Sequence, residues 1–414
     1  MQIAIVNSSN RRIGGVETYL NAVIRELTRA GHEIAFCFET NEPGDRPEIE
    51  LPETAPSWCV ADLGEQSAVT ALRQWRPDVI YCHKLTDPLL EREIIGLAPS
   101  VYFAHDYNGM CVSGTKTFKF PSAQPCTRSF GAPCLLHYFP HRCGGLNPAT
   151  MLKLYSDQSK RLENMNSYRA IVTHSDYMIA ELRKHGLTAH PAYKNGYGTT
   201  ARTFDSHEEK TDFNLVFSGR LEYLKGAHLL IDALPEVQHA LNASVRLIIA
   251  GDGRDRGSLE RQAARVRRER LEVDFAGWLE RGELEKVFAS CDLLVVPSIW
   301  PEPFGLVGIE AGSFGLPVAA FDVGGIHDWL SDGVNGFLAP GDPATSKGLA
   351  EAIIKCLQDP NTHASLRGGA FELAQRFSMQ NHLAALLEVF SKVTGLDFQA
   401  TSEISCETRV PVTV

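Results

Sequence analysis

Two α/β domains in series, each a parallel sheet covered by helices, are the fold this sequence predicts. The chain has 414 residues, too many for one ordinary core and suited to two domains of roughly 200 residues each. Short apolar runs alternate with amphipathic stretches of helical period, the signature of strands joined by crossover helices. The alternation stops at one polar stretch and then begins again.

The first run opens with "QIAIV" (2–6) as a buried strand, then "GGVETYLNAVIRELTRAG" (14–31), whose apolar residues fall at helical spacing and whose end is marked by Gly31. "HEIAFCF" (32–38), "DVIYCH" (78–83) and "VYFAH" (101–105) read as further strands. "YRAIVTHS" (168–175) is another, followed by the helix "DYMIAELRKHG" (176–186). The polar stretch "DSHEEKTDF" (205–213) marks the boundary, giving an N-terminal domain at 1–208 and a C-terminal one at 209–376. The second run is "NLVFSGRLEYLKGAHLLIDALPEV" (214–237), "VRLIIAGDG" (245–253), "VDFAGWL" (273–279), "DLLVVPS" (292–298) and "PVAAFD" (317–322). "FSMQNHLAALLEVFSKV" (377–393) is a late amphipathic helix, expected over 377–396 to pack back on the first domain, and 397–414 reads as a tail without a period. In open α/β sheets ligands bind beyond the carboxyl ends of the strands. His83, His105 and Ser175 fall at such ends in the first half, and Gly219, Gly251, Ser298 and Gly324 in the second.

The net charge is −10, with residues 1–200 carrying 20 basic and 20 acidic side chains and residues 201–414 carrying 20 and 30. That balance argues against nucleic acid as the main partner, because phosphate neutralisation needs clustered Lys and Arg. The opening "MQIAIVNSSNRRIGGVETYL" does not read as a signal peptide. No apolar stretch reaches the roughly 18 residues that span a bilayer. A cytoplasmic chain is the expectation, with room for contact at the inner membrane face, and its ten cysteines are expected mostly as free thiols.

Two motifs carry chemistry. In "FSGRLEYLKG" (217–226), Arg220 and Lys225 follow a strand through a glycine turn. A forked donor, a point charge and a helix start together suit a diphosphate, and the alternative is a solvated basic turn. In "WPEPFGLVGIEAGSFGLP" (300–317), Gly305 and Gly308 allow close backbone approach to a ligand at a helix start. If 303–310 is helical, Glu302 and Glu310 stand about 12 Å apart along the axis. The carboxylates that flank one glycosidic bond are only roughly 5–9.5 Å apart. The pair therefore suits contacts at two ends of a long ligand, such as the hydroxyls of a nucleotide sugar, or else one capping and one solvated glutamate.

Together, "GRLEYLKG", "IAGDG", "FAGW", "CDLLVVPSIWPEPFGLVGIEAGSFGLPVAAFDVGG" and "DGVNGFLAPGDP" resemble the retaining glycosyltransferases of family 4, whose fold is GT-B. GT-B is two Rossmann-like doubly wound domains facing across a cleft. "GGVETYLNAVIRELTRAGHEI" and "YRAIVTHSDYMIAEL" are similar to that family's opening loop and helix and its serine-bearing strand end. The E-x7-E signature is Glu302 and Glu310. The resemblance implies that Glu302 binds donor-sugar hydroxyls, Glu310 the ribose, and Arg220 and Lys225 the departing diphosphate. It adds the amides of Phe304, Gly305 and Leu306, the turn at Gly219, and Gly14 and Gly15 approaching the phosphates from the opposite domain. His105 would lie near the donor sugar and the reacting carbon, and Gly277, Trp278 and Leu279 would line the base pocket. The implied activity is retaining transfer from a UDP- or GDP-linked sugar to a glycan or lipid-linked acceptor in polysaccharide or glycoconjugate biosynthesis, with no cofactor required. No D-x-D triplet occurs, which agrees with metal independence. A GT-B nucleotide-sugar epimerase and a non-catalytic nucleotide-sugar-binding protein are the rival readings.

Residues 111–143 depart from the family core. Cys111, Cys126, Cys134 and Cys143 are spaced C-x14-C-x7-C-x8-C without a close pair. Four thiolates holding a structural zinc, two disulfides and reduced thiols all remain open. The segment leaves the strand end bearing His105 and mixes Lys116 and Lys119 with Phe118, Phe120, Tyr138 and Phe139, as an acceptor-recognition or membrane-facing excursion would.

Overall fold

The computed structural model describes residues 1–12, 14–41, 46–188, 191–195 and 212–396. The boundary between 208 and 209, most of the polar stretch around it and the tail at 397–414 lie outside the described residues. The N-terminal sheet is built from β1 (Gln2–Ser9), β2 (Glu33–Thr40), β3 (Ser57–Cys59), β4 (Val79–Cys82), β5 (Ser100–Phe103), β8 (Ala170–Thr173) and β9 (Ala192–Lys194), in the order β3-β2-β1-β4-β5-β8-β9. A two-stranded hairpin, β6 (Thr117–Phe118) with β7 (Gln124–Pro125), lies apart from it. The C-terminal sheet runs β12 (Leu271–Gly277), β11 (Ser244–Ala250), β10 (Asp212–Ser218), β13 (Leu293–Val296), β14 (Val318–Phe321) and β15 (Gly336–Ala339). All pairings within both large sheets are parallel. β4, β5, β8, β13 and β14 are buried at every position, which is why they read as unbroken apolar runs rather than as alternation.

Strand order reverses between β1 and β4 in the first sheet and between β10 and β13 in the second. Loops on either side of such a reversal diverge and leave a crevice beyond the strand ends. The physical location of a site therefore follows from topology before any side chain is considered.

The first domain's helices are α1 (Gly15–Arg29), α2 (Val60–Leu63), α3 (Glu65–Trp75), α4 (Pro88–Ile95), α5 (Pro133–Tyr138), α6 (Pro148–Met165) and α7 (Asp176–Lys184). Those that follow are α8 (Ala227–Leu241), α9 (Arg256–Val266), α10 (Arg281–Ser290), α11 (Val307–Gly312), α12 (Ser346–Leu357), α13 (Pro360–Arg376) and α14 (Met379–Thr394). α14 returns to the N-terminal sheet: Phe390 packs edge-on against Tyr81 at 5.2 Å, and the Asn195 side chain donates to the His382 carbonyl. Its fixed start has a local cause, since Ser378 caps the helix by accepting from the Asn381 amide.

The helix expected over 303–310 is shorter. It begins at Val307, because Gly305 sits at φ +87°, a left-handed conformation that a helix cannot contain. Among the described residues no helix is long and apolar enough to cross a membrane.

Candidate active site

The loop after β10 and the loop after β13 flank the C-terminal crevice. Their approach depends on glycine: at Gly226 (φ +73°) a Cβ atom would lie 1.7 Å from the Pro297 carbonyl oxygen. Lys225, one residue earlier, consequently reaches Glu302, and its Nζ donates to Oε1 at 2.6 Å. The same ammonium lies 5.0 Å from the Trp300 ring centre. Arg220 is exposed and makes only a loose pair with Glu222 at 3.4 Å. The structure thus joins Lys225 to Glu302 and leaves Arg220 exposed beside Glu222.

The segment bearing Glu302 is held from both domains. Tyr107 Oη donates to the Pro301 carbonyl, Ser175 Oγ to the Pro303 carbonyl, and Trp300 Nε1 to the Thr115 carbonyl at 2.7 Å. From its own domain, the Gly325 amide donates to the Glu302 carbonyl at 2.7 Å, and Trp329 Nε1 to that of Phe304. Phe304 is buried, while Gly305 and Leu306 stay half-buried. Asp328 links across as well, accepting from the Asp176 amide at 2.9 Å and from Lys194 at 3.0 Å.

Glu310 lies on α11, half-buried. Its surroundings push its acid up to about 7, chiefly by desolvation, against the pull of the Arg281 cation. With the helix starting at Val307, only part of the path from Glu302 to Glu310 rises helically. At the loop expected to line the base pocket, Gly277 closes β12 and its carbonyl accepts from the Gly251 amide at 2.7 Å. Leu279 is half-buried, whereas Trp278 is 56% exposed and carries the Arg46 guanidinium 4.7 Å above its ring. Gly219 is fixed to β11 through its amide and the Ala250 carbonyl, at 3.0 Å.

Gly14 and Gly15 begin α1. The Gly14 amide donates to Glu17 Oε2 at 2.9 Å, so a phosphate arriving there would displace a carboxylate.

His105 stands in a row. Strands β4, β5 and β8 are sheet neighbours, so His83, His105 and His174 at their ends are spaced by the sheet's own interstrand distance of about 4.8 Å. Ring centres are 5.1 Å and 5.2 Å apart. His83 Nδ1 bonds His105 Nε2 at 2.8 Å, and His105 Nδ1 bonds His174 Nε2 at 3.2 Å. Burial drives His105 down to about 3 and the other two well below the ordinary imidazole range. Three neutral rings result, and both nitrogens of His105 are engaged. Beside them runs a second chain, Tyr81 Oη to Tyr19 Oη at 2.7 Å and on to His382 Nε2 at 2.9 Å. The strand-end position marked His83 in the sequence, whereas His174 stands one residue before Ser175, the strand end read there. Nothing local marked Tyr19 or His382, which arrive by packing of α1 and α14.

Cys111, Cys126, Cys134 and Cys143 line one small cavity with Lys116 and Phe118. All nine described cysteines are free thiols, and among the described residues no group of three or more His, Cys, Asp or Glu is placed to hold a metal ion. Burial raises the thiols of Cys126 and Cys134, and that of Cys143 to about 11. The four are described as thiols lining one cavity, with no bond between any two of them.

Comparison with known proteins decides the family. A model described as Glycosyltransferase Family 4 matches residues 13–193, and one described as Glycosyl transferases group 1 matches residues 198–372. The chain is a glycosyltransferase, a family 4 domain followed by a group 1 domain. This glycosyltransferase is 26% identical to the glycogen synthase of Mycobacterium tuberculosis, over 91% of each chain. Its fold is GT-B, shared with sucrose-phosphate synthase from Thermosynechococcus elongatus at a TM-score of 0.71 and 18% identity, covering 95% of this chain and 99% of that one. Anabaena HepE, solved with UDP and glucose, gives a TM-score of 0.66 at 20% identity over 95% of this chain and 100% of that one.

Proposed function

We propose that this glycosyltransferase moves a sugar from a nucleoside diphosphate donor to a glycan or glycolipid acceptor with retention of anomeric configuration. The observation that carries the reading is the Lys225–Glu302 pair at the switch point of the C-terminal sheet. A carboxylate that chelates sugar hydroxyls and a cation that meets a leaving phosphate are held there in one contact. UDP is the first nucleotide to test, since a neighbour of the same fold was solved with it. The 26% identity to a glycogen synthase supports polysaccharide or glycoconjugate synthesis, and the cytoplasmic side of a membrane is the location that goes with a lipid-linked acceptor in this reading.

In this reading the bond between the anomeric carbon and the donor phosphate breaks, and the diphosphate leaves with the electron pair. Lys225 and Arg220, with the amides of Phe304, Gly305 and Leu306, stabilise that growing charge. The acceptor oxygen bonds to the anomeric carbon on the same face and passes its proton to a leaving phosphate oxygen. Glu302 orients the sugar and Glu310 the ribose. The row of neutral imidazoles presents His105 to the sugar as a fixed polar wall rather than as a titrating base. In this reading the cations that meet the diphosphate are the side chains of Lys225 and Arg220.

The test is transfer itself, with product anomers read by NMR and the donor incubated both with and without acceptor. A retained anomer formed only with acceptor supports the reading. An inverted anomer, or an epimerised donor formed without acceptor, overturns it. A nucleotide sugar present at 100 times its dissociation constant should also stabilise the fold by about 2.7 kcal/mol, which gives a donor screen.

A further inference from the structure

Between Asp106 and Asp157 the chain runs fifty residues without an acidic side chain, while carrying Lys116, Lys119, Arg128, Arg142 and Lys153, in a protein of net charge −10. Lys116 is an internal staple: it is buried, pairs with Glu181 at 3.0 Å, and donates to the Arg128 carbonyl. The other four basic residues are exposed. The same stretch shows large apolar side chains to solvent: Phe120, Leu136, Leu146 and Leu152, with Leu136 78% exposed. These are surplus to the local core, which Val112, Tyr138 and Cys143 make with Phe118, Phe130, Met151 and Leu154.

Charge and apolar tips are interleaved rather than segregated. The Arg142 guanidinium lies 4.7 Å above the Phe120 ring. The amides of Lys119 and Phe120 both donate to the His141 carbonyl, at 2.9 Å and 3.2 Å. His141 stacks with His137, the chain neighbour of Leu136, at 5.6 Å. Other exposed leucines of this domain have the opposite setting: Leu63 follows Asp62, and Leu89 stands between Asp87 and Glu91. Exposed apolar tips alternating along the chain with exposed cations match the boundary between acyl chains and anionic headgroups. A glycan would instead call for hydrogen-bonding side chains, and three of the four exposed tips are leucines.

We propose that the excursion at 111–153 docks on an anionic lipid bilayer, with Phe120, Leu136, Leu146 and Leu152 entering the headgroup boundary and Lys119, Arg128, Arg142 and Lys153 meeting lipid phosphates. Docking needs no donor and stands apart from the transfer reading. Its link to the site is mechanical: Trp300 holds the Thr115 carbonyl, so the lipid-facing excursion is tied to the segment that bears Glu302.

The test is flotation of the full chain with vesicles of phosphatidylcholine alone or mixed equally with phosphatidylglycerol, without nucleotide. Binding to the anionic vesicles that falls as salt rises is the expected result. K119Q/R142Q should weaken it about 25-fold, about fivefold per charge, the factor equivalent to about 1 kcal/mol each. L136S/L152S should weaken it too, while L63S/L89S should not. Circular dichroism and thermal midpoints establish that each variant is folded. Absence of wild-type flotation, equal flotation on neutral vesicles, or flotation unchanged in K119Q/R142Q would each overturn the proposal. Variants that float normally yet lose transfer to a soluble acceptor would also overturn it, and would assign the surface to glycan. Failure of flotation leaves the transfer assay untouched, so the two readings fail separately.

Discussion

Replacing Lys225 with Met removes a charge while keeping a stem of similar length over the Trp300 ring. The perturbation is then almost purely electrostatic. The pair is 2.6 Å long, with side chains 22% exposed for Lys225 and 9% for Glu302. Exposed pairs are worth about 0–1 kcal/mol, and orphaning one member of a fully buried pair costs about 3–5 kcal/mol. This pair lies between those limits, so K225M should destabilise by roughly 1.5–3 kcal/mol, the range for hydrogen bonds to charged groups. E302Q should cost less, because the amide oxygen still accepts from the ammonium. The double variant K225M/E302Q carries no stranded charge and should recover at least half of the K225M loss, a coupling that a double-mutant cycle in urea measures. Activity should not recover. Losing one preorganised donor to a developing anion costs about 10²–10³ in rate, and the double variant lacks both donor and sugar clamp. A double variant as unstable as the sum of the singles would refute the coupling. Wild-type kcat/KM in K225M would refute the catalytic role.

The remaining expectations probe separate parts of the structure. Glu310 has its folded pKa raised to about 7, so the unfolded chain loses its proton first and stability falls between about pH 4.5 and 7; urea midpoints should show that fall in wild type and a flatter profile in E310Q. The imidazoles of His83, His105 and His174 are lowered, so below about pH 6.5 the unfolded state takes up protons the fold refuses; stability should decline toward acid, and H83Q should shrink that decline. G226A places a Cβ 1.7 Å from a carbonyl oxygen at φ +73° and should cost at least about 3 kcal/mol, beyond the usual range for surface changes. G15A meets nothing within 4 Å and should be neutral or stabilise by up to about 1 kcal/mol; a raised donor KM in that variant would mark close phosphate approach at Gly15.

The fold was legible where strands are buried on both faces, because β4, β5, β8, β13 and β14 leave unbroken apolar runs. It was not legible at β3 and β9, which span three residues each, too short for any period to register. In the site, Arg220, Lys225 and Glu302 could be named from strand ends and residue type. That Lys225 and Glu302 would touch across 77 positions depends on β10 lying beside β13, a tertiary fact. The helix considered over 303–310 starts only at Val307, because the left-handed φ of Gly305 cannot be part of a helix. His382 and Tyr19 carried no local mark, and their bond spans 363 positions.

The central claim is that Glu302 grips the sugar of a nucleotide sugar. Calorimetric titration of wild type and E302Q with a nucleoside diphosphate and with its sugar conjugate tests it most directly. The expected result is that the bare nucleotide binds both proteins alike, while the added affinity from the sugar drops by roughly tenfold to a hundredfold in E302Q, about 1.5–3 kcal/mol for hydrogen bonds to a charged group. A sugar conjugate that binds E302Q as tightly as wild type would contradict it.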